Sequence, residues 1–138
     1  MAKALNSDNR SFKPNALILG YPILDLLKFC DRNREVSPDM NIIIEMMCTY
    51  IYGSTTPTQA EMVEWDLGSR ITSTYPPTFL WTTMEDSLVD VEQSMNFIRD
   101  LASHKVPYEF HIFEKGSRNT PKWIELALDW LKERMDST

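Results

Sequence analysis

The acidic residue best placed for chemistry is Asp86, which comes three residues after the apolar segment 78–83. That segment is typical of a buried strand, and a helix is predicted to begin soon after Asp86. In open parallel sheets, ligands and catalytic groups collect at the carboxyl ends of strands, where this loop would lie. Two interpretations stay open: Asp86 is a functional carboxylate, or it is a solvated loop acid near the positive end of the following helix.

Few other side chains offer a base, a nucleophile or a metal ligand. His104 is predicted near a helix end, where it would help to satisfy terminal carbonyls, and His111 is predicted to pack inside a strand. Cys48 has no neighbour that would activate it as a nucleophile. Cys30 and Cys48 lack metal-ligand spacing and are expected to be buried free thiols, with one disulfide as the alternative. Only four glycines occur and none forms a phosphate-binding loop, so no cofactor or metal is expected.

Three short apolar segments, each entered from a proline or from a turn next to one, are predicted to be strands. They are residues 16–21, 78–83 and 108–113. A helix is predicted to begin at Asp90, with Gln93 completing a capping box, and a last helix is predicted to begin at Thr120 and Pro121. The strand–helix–strand order implies parallel strands. The predicted fold class is therefore α/β, a short parallel sheet with flanking helices.

Both predicted helices carry apolar residues at helical spacing, and these stripes are expected to pack on the sheet. The first stripe consists of Val91, Met95, Ile98, Leu101 and Ala102. The second consists of Trp123, Leu126, Ala127, Trp130 and Leu131.

Residues 23–75 are predicted to be a helical insertion between the first two strands. One helix is expected to begin at 37–39 and end at Gly53, although its three adjacent isoleucines leave a strand as the alternative. Its apolar residues are Ile42, Ile43, Met46, Met47, Tyr50 and Ile51. A second helix is predicted to begin within 56–59 and to run to about Asp66.

Length and charge limit the classes of protein that fit this sequence. The 138 residues suit a single domain, 1–138. Fourteen Lys and Arg against 20 Asp and Glu give a net charge of −6, which argues against a nucleic-acid binder. Apolar runs such as 42–44 are too short to span a membrane, and no secretory signal is recognisable, so a cytoplasmic protein is expected.

Five segments, in order and in register, resemble the carboxyl-terminal half of α/β-hydrolase esterases, the acetyl esterase and xylan esterase relatives of the prolyl oligopeptidase group. The segments are PNALILGYPILD at 14–25, PPTFLWT at 76–82, DSLVDVEQS at 86–94, VPYEFHIFEKG at 106–116 and WIELALDWLK at 123–132. Residues 52–53 and 56–58 also resemble the lid-like segment of that family. The resemblance implies strands six to eight of the hydrolase sheet and a lid-like insertion at about 23–75, hence a partial domain.

The resemblance implies that Asp86 is the acid of a Ser-His-Asp triad, which orients the histidine and stabilises its imidazolium form. Where the family has Pro-His-Gly after the third strand, this sequence reads Ser-Arg-Asn at 117–119, and Arg118 stays protonated. In the family, the Gly-x-Ser-x-Gly elbow that carries the nucleophile and the region that supplies the oxyanion hole would both precede the first strand. The motif does not occur in this sequence. Three serines follow a glycine without completing it: Ser54, Ser69 and Ser117.

The parent chemistry implied by the resemblance is carboxylic-ester hydrolysis through an acyl-enzyme, as in acetyl esterases. Without a recognisable nucleophile and base, we expect no hydrolysis by this chain alone. Three hypotheses stay open: a truncated, inactive pseudoenzyme; one half of a split esterase whose partner chain carries the nucleophile; and a non-catalytic binding or oligomerisation module.

The first predicted strand, Ala16–Tyr21, is apolar and carries neither charge nor proline, so its edge lacks the usual protection. We therefore expect a homodimer formed through this edge. The alternative is that residues 1–15 fold back over it.

Overall fold

A computed structural model describes residues 13–115 and 122–137. Its sheet has three parallel strands in the order β1-β2-β3. The strands are β1 (Leu17–Gly20), β2 (Thr78–Thr83) and β3 (Tyr108–Phe113). The predicted bounds of β2 and β3 are confirmed, and β1 is one residue shorter at each end than expected. The α/β fold class with a short parallel sheet is confirmed.

The described residues also contain five α-helices. They are α1 (Leu26–Val36), α2 (Pro38–Tyr52), α3 (Gln59–Val63), α4 (Val91–Ser103) and α5 (Lys122–Asp136), with a 3-10 turn at Gly68–Arg70. Helices α1 to α3 lie in the insertion between β1 and β2. Gly53 ends α2 in the left-handed conformation, φ 74°, as its position in the sequence predicts. Within the described ranges, no helix has both the length and the apolar character needed to cross a membrane.

The middle strand, β2, is covered on both faces. On one face, Leu80 packs with Phe97 and Leu101 of α4. On the other, Phe79 and Trp81 pack with the tryptophans of α5, and the Trp81 and Trp123 rings stack with centroids 5.0 Å apart. The predicted stripe of α5 is confirmed as the face that meets the sheet, since Ala127 and Trp130 are buried and Trp123, Leu126 and Leu131 pack around them. The predicted start at Thr120 and Pro121 lies outside the described residues.

Gly20 at the end of β1 is required by the close approach of an aromatic side chain. A Cβ atom at this position would lie 2.6 Å from Nε1 of Trp81. A larger residue would therefore displace the indole that covers this face of the sheet.

The insertion has a core of its own. Leu26, Phe29 and Cys30 of α1 pack against Ile44 and Cys48 of α2, and Met62 of α3 joins them. Cys30 and Cys48 are both buried and free, as predicted.

The helix predicted to begin at 37–39 and end at Gly53 is confirmed as α2, and it is apolar on several sides. Ile42, Ile43, Met46 and Tyr50 are exposed, whereas the buried residues are Ile44 and Cys48, four apart. Apolar residues lie all round this helix, so spacing alone could not identify the face that meets α1. The helix expected to run to Asp66 ends at Val63.

The capping box predicted at the start of α4 was also wrong. Asp90 does cap the helix, through a hydrogen bond accepted from the Glu92 amide. Gln93, however, turns towards the insertion, where its Oε1 accepts hydrogen bonds from two backbone amides. In the predicted stripe of α4, Met95 and Ala102 are exposed and Phe97 is buried instead.

Replacement of the indole at the centre of the α5 contact should destabilise the fold. Trp130 is 4% exposed and its ring lies 5.8 Å from that of Phe79. We expect Trp130→Ala to lower the free energy of unfolding by about 3–5 kcal/mol, the usual result for a buried aromatic side chain. Urea denaturation followed by circular dichroism measures this.

The matched control is Leu128→Ala on the same helix, where the side chain is 50% exposed. Its effect should stay within about 0.5 kcal/mol. Equal losses in the two variants would contradict the packing of α5 on β2.

Candidate active-site acid

Asp86 lies in the turn that joins β2 to α4, at the carboxyl edge of the sheet. The Asp86 amide donates to the carbonyl of Thr83, the last residue of β2, at 3.4 Å. Its Oδ1 accepts hydrogen bonds from the amides of Leu88 at 2.9 Å and Val89 at 3.0 Å. An aspartate that binds backbone amides two and three residues ahead closes a local turn. The carboxylate is therefore held in one orientation by its own loop.

The turn is fastened to the insertion as well. Val89 is buried in the core formed by α1, α2 and α3. The Leu88 carbonyl accepts a hydrogen bond from the side-chain amide of Asn33 in α1, at 2.9 Å. Arg32 and Asp90 form an ion pair beside it, with both side chains about 40% exposed. Sequence reasoning missed Asn33, because α1 itself was not predicted.

A second contact that the sequence did not reveal is made by Gln93. Its Oε1 accepts hydrogen bonds from the amides of Leu24 and Asp25, both at 3.2 Å. Asp25 is the N-terminal cap of α1, so Gln93 ties the first turn of α4 to the start of the insertion. The only sequence signal was a glutamine at a capping position. Local spacing predicted that its side chain accepts from the amide of Asp90, whereas it accepts from Leu24 and Asp25.

Neither histidine faces Asp86 in the described structure. His104 follows the last residue of α4, about 20 Å along the axis from the end nearest Asp86. Its Nδ1 lies 2.9 Å from the Asp100 carbonyl, in agreement with the predicted role at a helix end. His111 is half-buried within β3, stacks on Phe113 and places Nε2 2.7 Å from Oε1 of Glu109.

The described serines that follow a glycine, and the buried Cys30, lack the surroundings of a nucleophile. The Ser54 hydroxyl accepts from the Thr56 amide, and the Ser69 hydroxyl donates to the Asp66 carbonyl. Burial raises the pKa of the Cys30 thiol to about 11, which disfavours the reactive thiolate. Ser117 and Arg118 lie outside the described residues.

A polar cavity of about 320 Å³ lies between α1, the 3-10 turn and α4. Asp25, Lys28, Asp66, Gln93, Asn96 and Asp100 contribute to its wall. Asp25 forms an ion pair with Lys28 at 3.4 Å and Asp66 accepts the Gly68 amide, so these carboxylates already have partners. Across residues 13–115 and 122–137, no three His, Cys, Asp or Glu side chains cluster in a way that could hold a metal ion.

The bond between Gln93 and the insertion should contribute measurably to stability. In Gln93→Leu, the amides of Leu24 and Asp25 lose their acceptor, and the Leu24 amide is buried. We expect the free energy of unfolding to fall by about 1–3 kcal/mol, the usual cost of leaving buried polar groups unpaired. Gln59→Leu, at an exposed position of α3, is the control. Equal stability of Gln93→Leu and the native chain in urea denaturation would contradict this.

Comparison with known proteins agrees with this architecture. The sequence model of the Prolyl oligopeptidase family matches residues 1–138. Endo-1,4-beta-xylanase B of Butyrivibrio fibrisolvens is 27% identical over 106 residues, which are 77% of this chain and 14% of that protein.

Two solved structures show the same fold. The acetyl ester-xyloside bifunctional hydrolase of Caldicellulosiruptor lactoaceticus superposes with a TM-score of 0.67 at 27% identity, over 88% of this chain and 43% of its own. MGS-M1, an alpha/beta hydrolase enzyme from a Medee basin deep-sea metagenome library, superposes with a TM-score of 0.58 at 21% identity, over 98% and 50%. The chain thus spans half or less of the proteins it matches. Its three parallel strands and flanking helices form part of an α/β-hydrolase fold, and the chain belongs to the prolyl oligopeptidase family.

Proposed function

We propose that this chain is the acid-bearing half of an esterase-type α/β-hydrolase and that it does not hydrolyse esters by itself. The observation that carries the proposal is the Asp86 carboxylate, held by two backbone amides at the carboxyl end of the middle strand. The similar hydrolase of Caldicellulosiruptor lactoaceticus is described as an acetyl ester-xyloside bifunctional enzyme, so an acetyl ester is the substrate class that we propose.

In this proposal, Asp86 is the acid of a Ser-His-Asp triad. Such an acid accepts a hydrogen bond from Nδ1–H of the histidine, fixes its tautomer and stabilises the imidazolium that forms when the serine is deprotonated. The amides of Leu88 and Val89 both donate to Oδ1 of Asp86. The other carboxylate oxygen, Oδ2, is the one that would accept the hydrogen bond from the histidine. The fixed turn supports this role, because an acid that orients another group must itself be oriented.

The serine and the histidine would come from outside the described residues. His104 and His111 are engaged elsewhere, as their contacts with Asp100 and Glu109 indicate. By the resemblance, Ser-Arg-Asn at 117–119 replaces the Pro-His-Gly of the esterases, and a guanidinium cannot accept the proton of a serine at neutral pH. We therefore favour a chain without activity of its own, either a truncated relative or one half of a split enzyme.

A second candidate function is assembly through the free side of β1. The amides of Leu17 and Tyr21 donate towards β2, to the carbonyls of Pro77 and Trp81. Because backbone groups of a strand alternate in direction, those of Ile18 and Gly20 point away from β2. Ile18 is 40% exposed, and no described strand pairs with this side of β1. This edge suits a homodimer, or a partner chain that carries the nucleophile.

The esterase proposal is tested with p-nitrophenyl acetate. We expect the pure chain to give no turnover above buffer. Its sequence has no recognisable serine nucleophile or catalytic histidine, and no recognisable donors of an oxyanion hole. Addition of a neighbouring gene product that contains Gly-x-Ser-x-Gly should restore hydrolysis if the enzyme is split, and Asp86→Asn should reduce the restored kcat by about 10⁴-fold. Turnover by the chain alone that Asp86→Asn abolishes would contradict the proposal.

Assembly is tested by light scattering at micromolar concentration, where we expect a mass of twice that of one chain. The backbone donor lost in Ile18→Pro points away from β2, so this substitution should shift the mass to that of a monomer without removing a hydrogen bond of the sheet. Ile18→Val keeps the donor and is the matched control. A native monomer whose Ile18 and Gly20 amides exchange rapidly with solvent would rule out pairing at this edge.

A further inference from the structure

Asn33 is an unusual residue in the apolar contact between the insertion and the acid-bearing turn. It is 1% exposed and lies one helical turn after Phe29, on the face of α1 that is otherwise apolar. A buried side-chain amide is retained at little cost only when its polar atoms are paired. Its Nδ2 group donates both of its hydrogens, to the carbonyl of Phe29 at 2.8 Å and to the carbonyl of Leu88 at 2.9 Å.

The bond from Asn33 to Leu88 reaches Asp86 through a single peptide group. The Leu88 carbonyl and the Val89 N–H belong to one planar unit and point in opposite directions. On one side this unit accepts the hydrogen bond from Asn33, and on the other it donates to Oδ1 of Asp86 at 3.0 Å. Because the unit is rigid, fixing its carbonyl also fixes the direction of its N–H. Consecutive hydrogen bonds through one amide also strengthen each other by polarisation.

The other contacts between α1 and the turn hold it less specifically. The ion pair of Arg32 with Asp90 is partly exposed, and such pairs contribute little. The side chain of Val89 is buried in the core of the insertion, which sets the distance of the turn from α1 but not the rotation of the peptide plane. Asn33 is thus the described contact that sets the orientation of the amide facing the carboxylate.

We propose that Asn33 is a positioning residue for Asp86, acting through the Leu88–Val89 peptide group. The role of Asp86 as the triad acid rests on the function proposed above, whereas the orientation of its carboxylate by Asn33 can be measured without any activity. In this proposal the insertion contributes to the site, because it supplies Asn33, the residue that orients the Asp86 carboxylate.

The test is NMR spectroscopy of the full chain. Since the Val89 amide donates to the Asp86 carboxylate, its proton shift should follow the ionisation of that carboxylate as pH is varied. In Asn33→Leu, we expect this pH-dependent shift to lose most of its amplitude and the Val89 amide to exchange about tenfold faster, while Leu80 in the sheet is unchanged. A merely structural role would speed exchange at both amides together and leave the pH-dependent shift intact.

Arg32→Ala is the matched control, since it removes a neighbouring contact of α1 with the same turn and should leave the Val89 titration unchanged. If Asn33→Leu does not fold, the native chain still decides the matter. A through-hydrogen-bond coupling between Nδ2 of Asn33 and the Leu88 carbonyl carbon should be present. The side-chain amide protons of Asn33 should also exchange with solvent far more slowly than those of exposed Asn41. Absence of that coupling, or an unchanged Val89 titration in folded Asn33→Leu, would overturn the proposal. Failure of Asp86→Asn to affect a restored esterase would instead overturn the function proposed for Asp86 and leave these results standing.

Discussion

The middle strand of the sheet, Thr78–Thr83, is buried at all six residues and hydrogen bonded to a parallel neighbour on each side. A strand in this position has no exposed face, which favours apolar residues and paired polar groups. Thr78, for example, donates its hydroxyl to the carbonyl of Pro76. Since all three strands run the same way, their carboxyl ends meet at one edge. The chain leaves the buried middle strand at that edge, and Asp86 is placed there.

The turn after this strand connects the sheet to the insertion, and the contacts on its two sides differ in kind. Val89 brings apolar area into the core of α1 to α3, which stabilises the contact without fixing a direction. Asn33 and Gln93 add directional bonds between backbone and side chain, at 2.9 and 3.2 Å. Apolar burial thus supplies most of the attraction, and the two amide side chains determine the geometry. The insertion is consequently packed as part of the fold at this end.

How far the sequence predicts this arrangement depends on how local each signal is. The strands β2 and β3 and helix α4 could be predicted because prolines, a cap and regular apolar spacing lie within a few residues of each other. Helix α1 was not predicted because five of its eleven residues are charged, and they hide the spacing of its buried face. The five are Lys28, Asp31, Arg32, Arg34 and Glu35. Gln93 and Asn33 bond to residues 69 and 55 positions away, and no local rule contains such partners. The position of Asp86 was therefore predictable, whereas the residues that fix its orientation were not.

The Asp86 carboxylate is oriented by backbone amides of its own loop, and that bears on the site proposed for it. Its oxygen is bound by amides of its own turn, and the turn is held by α1 and by the end of β2. An acid anchored in this way needs no ordering when a base arrives, so the entropy of fixing it is lost during folding and not during assembly. A nucleophile and its oxyanion donors, by contrast, require a separate strand-to-helix turn. In the proposed site, the acid is therefore ordered by its own loop and by the insertion, independently of any turn that carries a nucleophile.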